Sequence, residues 1–369
     1  MAPTSKDGPS RYIEAHKDPQ GPGDARPTAL QIIQDNGLLG RLTDKTFLVT
    51  GGTDGLGKET VRQLVKTGAR VFFSARSPEK AEQVRNEILA EGTAGGDLER
   101  SRLEWVKIDN ASLQSVREGI EDFLQRSDSL NVLIANVGIA LTPHAVTVDG
   151  FEKQFAVNHL AHFLMFQLLQ PLMLKSSKPD FHSRYVAVSS SAHMLSSVQI
   201  GNYNQDTKAT ERVDPLCSFT EDTYNPAVAY GQSKTANIWM ANQIERQYGS
   251  EGLHGLSTHP GVIFTAGWAG FDEKAAAGLA QLFESDAVKA SVKNVEQGAA
   301  TQVMAAVDKE LEGKGGLYLD DAHVADPLLE EQPFSFTGYK PWAYDPEGEV
   351  KLWRDSLAMV GLPDSSSHA

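Results

Sequence analysis

The chain has 369 residues, 40% of them hydrophobic, and a formal net charge of −14 at pH 7. A charge of that sign argues against nucleic acid or an anionic membrane surface as a partner. The length and hydrophobic content are ordinary for a globular protein and leave ample room for a core. The single cysteine, Cys217, excludes an internal disulfide and a cysteine-based zinc site, which fits a reducing, cytoplasmic compartment.

The first 26 residues are rich in proline, glycine and charge, and they lack the apolar run of a signal peptide. They predict a mobile arm, which a short amphipathic helix at about residues 28–35 packs against the body. Residues 155–174 form an apolar stretch long enough to cross a bilayer, but it contains asparagine, histidine, glutamine and proline. A buried helix is the better interpretation, so no membrane span is expected.

From residue 46 onward, short apolar runs alternate with segments of helical periodicity. The runs with strand character are residues 46–50, 70–74, 103–108, 130–135, 184–190, 255–259 and 315–319. The helical segments are residues 57–67, 78–91, 113–125 and 230–248, and a further helix is expected at 346–360. This alternation predicts an α/β fold, a Rossmann-type doubly wound parallel sheet of about seven strands with helices on both faces.

The same pattern predicts one domain over residues 45–319, between an N-terminal arm at 1–44 and a C-terminal extension at 320–369. Two segments interrupt the alternation. Residues 195–227 are polar, carry both charge signs and predict a long surface loop. Residues 264–290 have helical character and several large apolar side chains, which favours a lid over a substrate site.

A glycine-rich turn at residues 50–57, the glycine turn, follows the first predicted strand and precedes a helix. Glycine permits a tight turn and a close approach of the backbone to a pyrophosphate, whose charge then meets the helix N-terminus. A plain strand–helix turn is the alternative, but the position at the start of the alternating run favours a dinucleotide site. The residues expected to line this site are Gly51, Thr53, Asp54, Gly55, Leu56 and Gly57.

The second predicted strand should end near the adenosine ribose of the dinucleotide. An acidic residue is usual there in NAD-preferring proteins, whereas this chain has Arg76, which can pair with a 2′-phosphate. The sequence therefore favours NADP, and NAD stays open because Asp54 carries a negative charge nearby. Asp109 is expected to accept from the adenine amino group, and Asn136 to brace neighbouring strands while Gly138 leaves space for the cofactor.

Tyr230 is the only one of nine tyrosines with a lysine, Lys234, four residues later. On a helix these residues share a face, so the ammonium can lie beside the phenol. A neighbouring positive charge lowers a phenol pKa that starts near ~10 and makes the tyrosine a usable proton donor or acceptor. A surface pair is the alternative. His159 and His162 could suggest a metal, but no carboxylate cluster accompanies them, so no metal is expected.

Together these residues resemble the classical short-chain dehydrogenase/reductase family. The matching motifs occur in family order at residues 50–57, Asp109, 135–138, Asn158, 188–190, 230–234 and 260–265. Within the family, residues 157–160 and 351–353 are similar to the branch of retinol dehydrogenases and WW-domain-containing oxidoreductases. The interval between Ser190 and Tyr230 is longer than usual in the family, so one wall of the substrate site is expected to be unusual.

The resemblance implies a role for each catalytic residue. Tyr230 is the general acid/base for the substrate oxygen, Lys234 lowers its pKa and binds the nicotinamide ribose, and Ser190 hydrogen-bonds the same oxygen. Asn158 holds a water that links Lys234 to solvent. Hydride passes directly between nicotinamide and carbon, so the chemistry needs no metal. The residues implied at the nicotinamide are Pro260, Val262 and Thr265, with Thr265 at its carboxamide.

These observations predict an NADP(H)-dependent oxidoreductase that interconverts a ketone or aldehyde and an alcohol on a lipophilic small molecule. The family suggests a substrate of specialised metabolism. A non-catalytic dinucleotide-binding sensor is the alternative, and the complete catalytic set argues against it. Classical members often dimerise through the helices after strands four and five, so a homodimer is also an expectation.

Overall fold

The computed structural model describes residues 2–92, 99–209, 212–214, 217, 224–263, 284–329, 331–332 and 334–364. In these residues the strands are β1 (Thr46–Val49), β2 (Arg70–Ala75), β3 (Leu103–Lys107), β4 (Val132–Ala135), β5 (Ser183–Val188), β6 (Leu253–His259), β7 (Leu317–Asp320) and β8 (His323–Val324). They form one sheet in the order β3-β2-β1-β4-β5-β6-β7-β8. The predicted parallel sheet is confirmed, and the two-residue β8, which pairs antiparallel with β7, is the addition.

The α-helices of the described residues lie between and around these strands. They are α1 (Ile13–His16), α2 (Ala29–Asp35), α3 (Gly55–Leu64), α4 (Pro78–Glu91), α5 (Leu113–Arg126), α6 (Lys153–Phe155), α7 (Ala161–Ser176), α8 (Pro226–Tyr248), α9 (Asp286–Ser291), α10 (Val295–Gly298), α11 (Ala300–Val307) and α12 (Pro346–Met359). A π-helical turn, Ala156–Leu160, joins α6 to α7. Short 3₁₀ turns include Val65–Thr67 after α3 and Ser191–Leu195 after β5.

Helix α8 begins four residues before the predicted start at Tyr230. The side chain of Asn225 accepts hydrogen bonds from the backbone N–H groups of Ala227 and Val228, and Pro226 occupies the first helical position. Both features are typical of a helix N-terminus, because they satisfy or remove donors that lack intrahelical partners. Tyr230 therefore lies within the second turn of the helix, where the backbone is fully ordered by helical bonding.

The core lies on both faces of the sheet. Alternate residues of β1 point to opposite sides, so Phe47 and Val49 belong to one buried cluster and Leu48 belongs to the other. The first cluster includes residues of α2, α3 and α11, and the second includes residues of α5, α7 and α8. Such double coverage explains why the strands read as continuous apolar runs.

The N-terminal arm differs from the mobile segment that its composition predicts. Tyr12 is buried and its hydroxyl donates to Asp35, at 2.6 Å. The buried guanidinium of Arg26 donates to the carbonyls of Ser291 and Val292, both at 2.7 Å. Because these last two partners lie about 265 residues away along the chain, composition and local pattern could not predict the docking. The arm thus holds the end of α9, which forms the C-terminal part of the predicted lid.

Helix α12 packs across α7 and α8. The Trp353 ring meets Phe163 edge-on, with ring centroids 4.9 Å apart, and Nε2 of His159 is 2.9 Å from Oγ of Ser356. On α8, Nδ2 of Asn242 donates to the α12 side chain Glu349, at 2.8 Å. These contacts cover the helices that follow β4 and β5. The expected dimer stays a prediction.

The long loop predicted at 195–227 contacts the body at some of its described residues. Ser196 pairs with Val213 in an isolated antiparallel bridge, and the Tyr203 hydroxyl donates to Asp355 of α12. Most of the predicted lid lies outside the described residues, namely residues 264–283. Helix α9 begins three residues later, within the remaining part of the lid. Among the helices that the structure does describe, none combines the length and apolar character needed to cross a bilayer.

Candidate active site

The glycine turn is packed so tightly that larger residues would not fit at Gly51 and Gly57. Gly51 has a φ of +71°, and a Cβ atom there would lie 2.7 Å from Cγ2 of Val137. A Cβ atom on Gly57 would lie 2.2 Å from the Gly51 carbonyl oxygen. The turn leads directly into α3, whose N-cap residue Asp54 accepts from the Gly55 N–H at 2.8 Å. Thr53 and Leu56 are half-buried in the same turn. This close-packed cradle at a helix N-terminus fits a pyrophosphate.

Asn136 connects the ends of β1 and β4. Its Nδ2 donates to the Thr50 carbonyl at 2.9 Å, and its backbone N–H donates to the Thr50 hydroxyl at 2.8 Å. On the other side, Nε2 of Gln302 donates to the Asn136 side-chain oxygen at 3.3 Å. The amide therefore ties the floor of the glycine turn to α11.

Arg76 directly follows β2 and is exposed at the same edge of the sheet as the glycine turn. Asp54, which argued against a 2′-phosphate, lies 3.7 Å from the Nζ atom of Lys80. Lys80 could not be predicted at this site from the sequence, because the pairing joins two different elements. Its ammonium offsets part of the Asp54 charge. After β3, the half-buried Asp109 accepts from the Ala111 N–H at 3.0 Å.

Helix α8 places Lys234 beneath the ring of Tyr230. The lysine is buried, its Nζ lies 5.6 Å from the centre of the Tyr230 ring, and it donates to the Val188 carbonyl at 2.9 Å. Burial lowers the pKa of Lys234 to about 8. Tyr230 keeps part of its surface exposed, but the desolvation of its hydroxyl raises its pKa, and a hydrogen bond with Ser190 lowers it. Desolvation is the larger of these two effects.

The three consecutive serines point to different partners. Ser189 is buried and donates to the Lys234 carbonyl at 2.8 Å, while the Ser191 N–H donates to Nδ1 of His259 at 3.2 Å. Ser190 is the serine that hydrogen-bonds Tyr230. This contact is consistent with the role that the resemblance implies for Ser190.

Asn158 lies in the π-helical turn, a feature often found at functional sites. Its side chain accepts from the Ile139 N–H and donates to the Ile139 carbonyl and to the Ser233 hydroxyl, each at 2.9 Å. A Cβ atom on Gly138 would lie 3.1 Å from Nζ of Lys234 and 3.6 Å from Oδ1 of Asn158. The absence of a side chain at Gly138 thus leaves room for both the amide and the ammonium close to it.

The two histidines near Asn158 have partners within the fold. Nε2 of His162 is 2.9 Å from the Thr50 hydroxyl, its Nδ1 is 2.9 Å from the Asn158 carbonyl oxygen, and His159 pairs with Ser356. Burial lowers the pKa of His159 to about 3 and that of His162 to about 4. Across the described parts of the chain, no group of three or more histidine, cysteine, aspartate or glutamate side chains could hold a metal.

The loop after β6 lies beside this site. Gly261 has a φ of +95°, and the half-buried Pro260 and the buried Val262 flank it. The Val262 carbonyl accepts from the N–H of Lys293, at 2.8 Å, so the loop is tied to the segment after α9. Thr265, the residue predicted at the carboxamide, lies outside the described residues.

The sequence analysis also missed His193. This buried residue contacts both the serine segment and the C-terminal extension, and its partners Lys340 and Trp342 follow it by almost 150 positions. A histidine after a serine run was the only sequence signal, and no pairing could be inferred from it.

Comparisons with known proteins agree with the fold. A sequence model described as short chain dehydrogenase matches residues 45–209. Short-chain dehydrogenase/reductase prx1 of Penicillium roqueforti is 44% identical over 354 residues, which cover 96% of each chain. Retinol dehydrogenase 14 of Mus musculus is 34% identical over 336 residues and 90% of each chain. A crystal structure of a putative uncharacterized protein from Mycobacterium paratuberculosis aligns with a TM-score of 0.59 and 26% identity, over 86% of this chain and 94% of that one. The chain belongs to the short-chain dehydrogenase/reductase family of oxidoreductases.

Proposed function

We propose that this protein is an NADP(H)-dependent oxidoreductase that interconverts an alcohol and a ketone or aldehyde on a lipophilic small molecule. The observation that carries the proposal is the arrangement at α8. A buried lysine ammonium lies 5.6 Å from the centre of the Tyr230 ring, and Ser190 hydrogen-bonds the Tyr230 hydroxyl. A hydroxyl pair next to a buried cation is suited to exchanging a proton with a substrate oxygen.

The cofactor-binding residues form a continuous edge of the sheet. The glycine turn would hold the pyrophosphate at the N-terminus of α3, Arg76 the 2′-phosphate, Asp109 the adenine, and the loop at Pro260 and Val262 the nicotinamide. A bound nicotinamide would supply or take up the hydride. Thr265 is proposed at the carboxamide on the family pattern. The close packing around Gly51 and Gly57 supports this assignment, because side chains there would clash with Val137 and with the Gly51 carbonyl and so prevent the tight turn.

The chain's own residues would move the proton. Tyr230 gives its proton to the substrate oxygen in reduction and accepts it in oxidation, while Ser190 holds that oxygen beside the phenol. The Ser190 hydrogen bond lowers the pKa of Tyr230 and thereby opposes the larger effect of desolvation. The ammonium of Lys234 favours the phenolate and binds the nicotinamide ribose. Asn158, which like Lys234 lies close to Gly138, is proposed to hold the water that links the ammonium to solvent.

The lipophilic substrate is proposed from the name of a relative and from the apolar residues of the predicted lid. Retinol dehydrogenase 14, at 34% identity, is named for a lipophilic alcohol. The direct test is NADPH consumption with decanal and all-trans-retinal, each compared with a charged carbonyl such as pyruvate. Turnover of the lipophilic carbonyls supports the proposal. NADPH binding without turnover on a wide panel of ketones, aldehydes and alcohols would favour the dinucleotide sensor instead.

Replacing Arg76 with alanine should weaken NADPH binding about 10–100-fold, because a charge-assisted pair with the 2′-phosphate is worth roughly 1.5–3 kcal/mol. The affinity for NADH, which lacks that phosphate, should change by less than about threefold. Fluorescence titration of both cofactors measures the effect. Arg41, an exposed arginine that precedes β1 at the other edge of the sheet, provides the matched control Arg41→Ala. Equal losses for the two cofactors in Arg76→Ala would contradict the assignment.

A further inference from the structure

The 3₁₀ turn Ser191–Leu195, here called the serine turn, lies between α8 and the C-terminal extension. It approaches α8 at Gly231, the residue after Tyr230. A Cβ atom on Gly231 would lie 2.9 Å from the Ala192 carbonyl oxygen and 3.0 Å from the Ser196 nitrogen. The serine turn and the catalytic helix therefore touch through backbone atoms, and a small shift of the turn would move Ser190 relative to Tyr230.

His193 is the residue of the serine turn with the most partners. Its Nδ1 is 2.7 Å from the Ser190 carbonyl oxygen, and its own carbonyl accepts from Oγ1 of Thr235 at 3.1 Å. From the C-terminal extension, the Lys340 N–H donates to Nε2 of His193 at 3.4 Å, and Nε1 of Trp342 donates to the His193 carbonyl at 3.0 Å. Both ring nitrogens are engaged, so the ring is a connector between two parts of the chain.

The C-terminal extension is in turn bound to α8 itself. Nε1 of Trp239 donates to the Trp342 carbonyl at 2.7 Å, and Nδ2 of Asn242 donates to the Ala343 carbonyl at 3.1 Å. Residues 339–344, here called the C-terminal clasp, therefore contact the serine turn and the catalytic helix at once. The His193 ring also meets the Tyr318 ring of β7 edge-on, with centroids 5.0 Å apart.

We propose that His193 is a positioning residue for the reaction. Its ring holds Ser190 at the hydroxyl of Tyr230 by linking Ser190 to the C-terminal clasp. The inference rests on the proposed function for its kinetic consequence, although not for its geometry. Nδ1 donates to the Ser190 carbonyl, and Nε2 accepts from the backbone N–H of Lys340 in the C-terminal clasp. This assignment requires the neutral imidazole with its proton on Nδ1.

The surroundings of His193 are consistent with that neutral form. The residue is fully buried, and burial lowers its pKa to about 4, with the nearby Lys340 charge acting in the same direction. At neutral pH the imidazole therefore keeps one donor and one acceptor, as the two contacts demand.

Two substitutions separate the two ends of the ring. In His193→Asn, the amide nitrogen can take the place of Nδ1 and keep the donor to Ser190. In His193→Gln, the longer amide can reach the position of Nε2 and accept from Lys340, but the side-chain donor to Ser190 is lost. Only the backbone N–H of residue 193, which also donates to the Ser190 carbonyl at 3.0 Å, remains. We expect His193→Gln to lower kcat for NADPH-dependent reduction of decanal about 10–100-fold with little change in KM for NADPH, because a displacement of about 1 Å at a reacting group has an effect of that size. His193→Asn should stay within about threefold of the wild type.

His254 provides the matched control. It is also buried, but it lies on β6 near the amino end of the strand and pairs with Glu245, at 2.9 Å. His254→Asn should leave kcat within about threefold of the wild-type value. Equal losses of kcat in His193→Asn and His193→Gln would overturn the inference, and so would wild-type kcat in His193→Gln or an equal loss in His254→Asn.

A second readout does not depend on turnover. The chain can be labelled with [¹³Cζ]tyrosine, and the Tyr230 resonance identified by its disappearance in Tyr230→Phe. Because the Ser190 hydrogen bond lowers the pKa of Tyr230, that pKa should rise in His193→Gln and stay at the wild-type value in His193→Asn. If these pKa values are observed but the wild type turns over none of the probes, the proposed function is wrong and the inference stands. If the wild type is active but the pKa of Tyr230 is unchanged in His193→Gln, the inference is wrong and the proposed function stands.

Discussion

Replacing Tyr230 with phenylalanine is expected to lower kcat about 10²–10⁴-fold, the range for removing a positioned general acid/base. The affinity for NADPH should change by less than about threefold, since the variant keeps Lys234 and the glycine turn. The physical reason is that the phenol oxygen is the group that Ser190 engages, whereas the ring that lies over Lys234 is retained. Single-turnover kinetics with NADPH and decanal measure the chemical step, and fluorescence titration measures binding.

The matched control for this experiment is Tyr248→Phe. Tyr248 is the last residue of α8, and it packs near Phe166 with ring centroids 6.0 Å apart. Removing its hydroxyl should leave both kcat and NADPH affinity near the wild-type values. A Tyr230→Phe enzyme with normal kcat would refute the catalytic assignment, and a loss of NADPH affinity as large as the loss of kcat would instead indicate a binding role.

The second large effect expected is a loss of stability in mild acid. Burial lowers the pKa of His159 and His259 to about 3 and that of His162 and His193 to about 4. In the unfolded chain a histidine has a pKa near ~6.5, so the unfolded state binds more protons as the pH falls below that value. These histidines therefore cost no stability above pH ~6.5, and the loss of stability grows progressively as the pH falls towards ~3–4.

Each such histidine contributes a slope of about 1.4 kcal/mol per pH unit where its unfolded form is protonated and its folded form is not. Four of them give a fall in the free energy of unfolding on the order of 4 kcal/mol between pH 6 and pH 5. Burial raises the pKa of Glu152 and of Asp320, which opposes this fall because their folded forms retain protons. Urea unfolding at pH 5, 6, 7 and 8 measures the dependence.

His159→Asn supplies the control for the acid effect, because it removes one of the four histidines and should reduce the slope by about a quarter. The amide can keep a polar partner for Ser356, which His159 contacts at 2.9 Å. A free energy of unfolding that is flat between pH 7 and pH 5 would show that these histidines are not kept neutral by the fold.

Much of the fold could be predicted because its signals are local. The strand patterns at residues 46–50 and 70–74 match β1 and β2 within one residue at their ends, and α4 occupies the predicted range. At the start of α4, the Ser77 side chain caps the helix and Pro78 occupies its first position, and both effects act within one helical turn. The glycine turn could also be predicted, because glycines between a strand and a helix indicate a tightly packed backbone that has no room for side chains.

Contacts between distant segments could not be predicted in the same way. The docking of Arg26 on residues 291–292, the pairing of Lys80 with Asp54, and the packing of α12 over α7 and α8 leave no periodic pattern in the chain. The two-residue β8 is too short to have a strand signature, and its pairing depends on the neighbouring β7. The pKa of Tyr230 could not be predicted from the sequence either, because desolvation of the hydroxyl depends on the residues that surround it.

The sequence by itself determined the parallel sheet, the glycine turn and the pairing of Tyr230 with Lys234, because strand alternation, glycine sterics and helical spacing are properties of short segments. The tertiary structure alone decided that Ser189 donates to the Lys234 carbonyl, that Asn158 and Lys234 both lie close to Gly138, and that His193 joins the serine turn to the C-terminal clasp. Each of these depends on which segments meet in space, and burial then sets the pKa of every group enclosed between them.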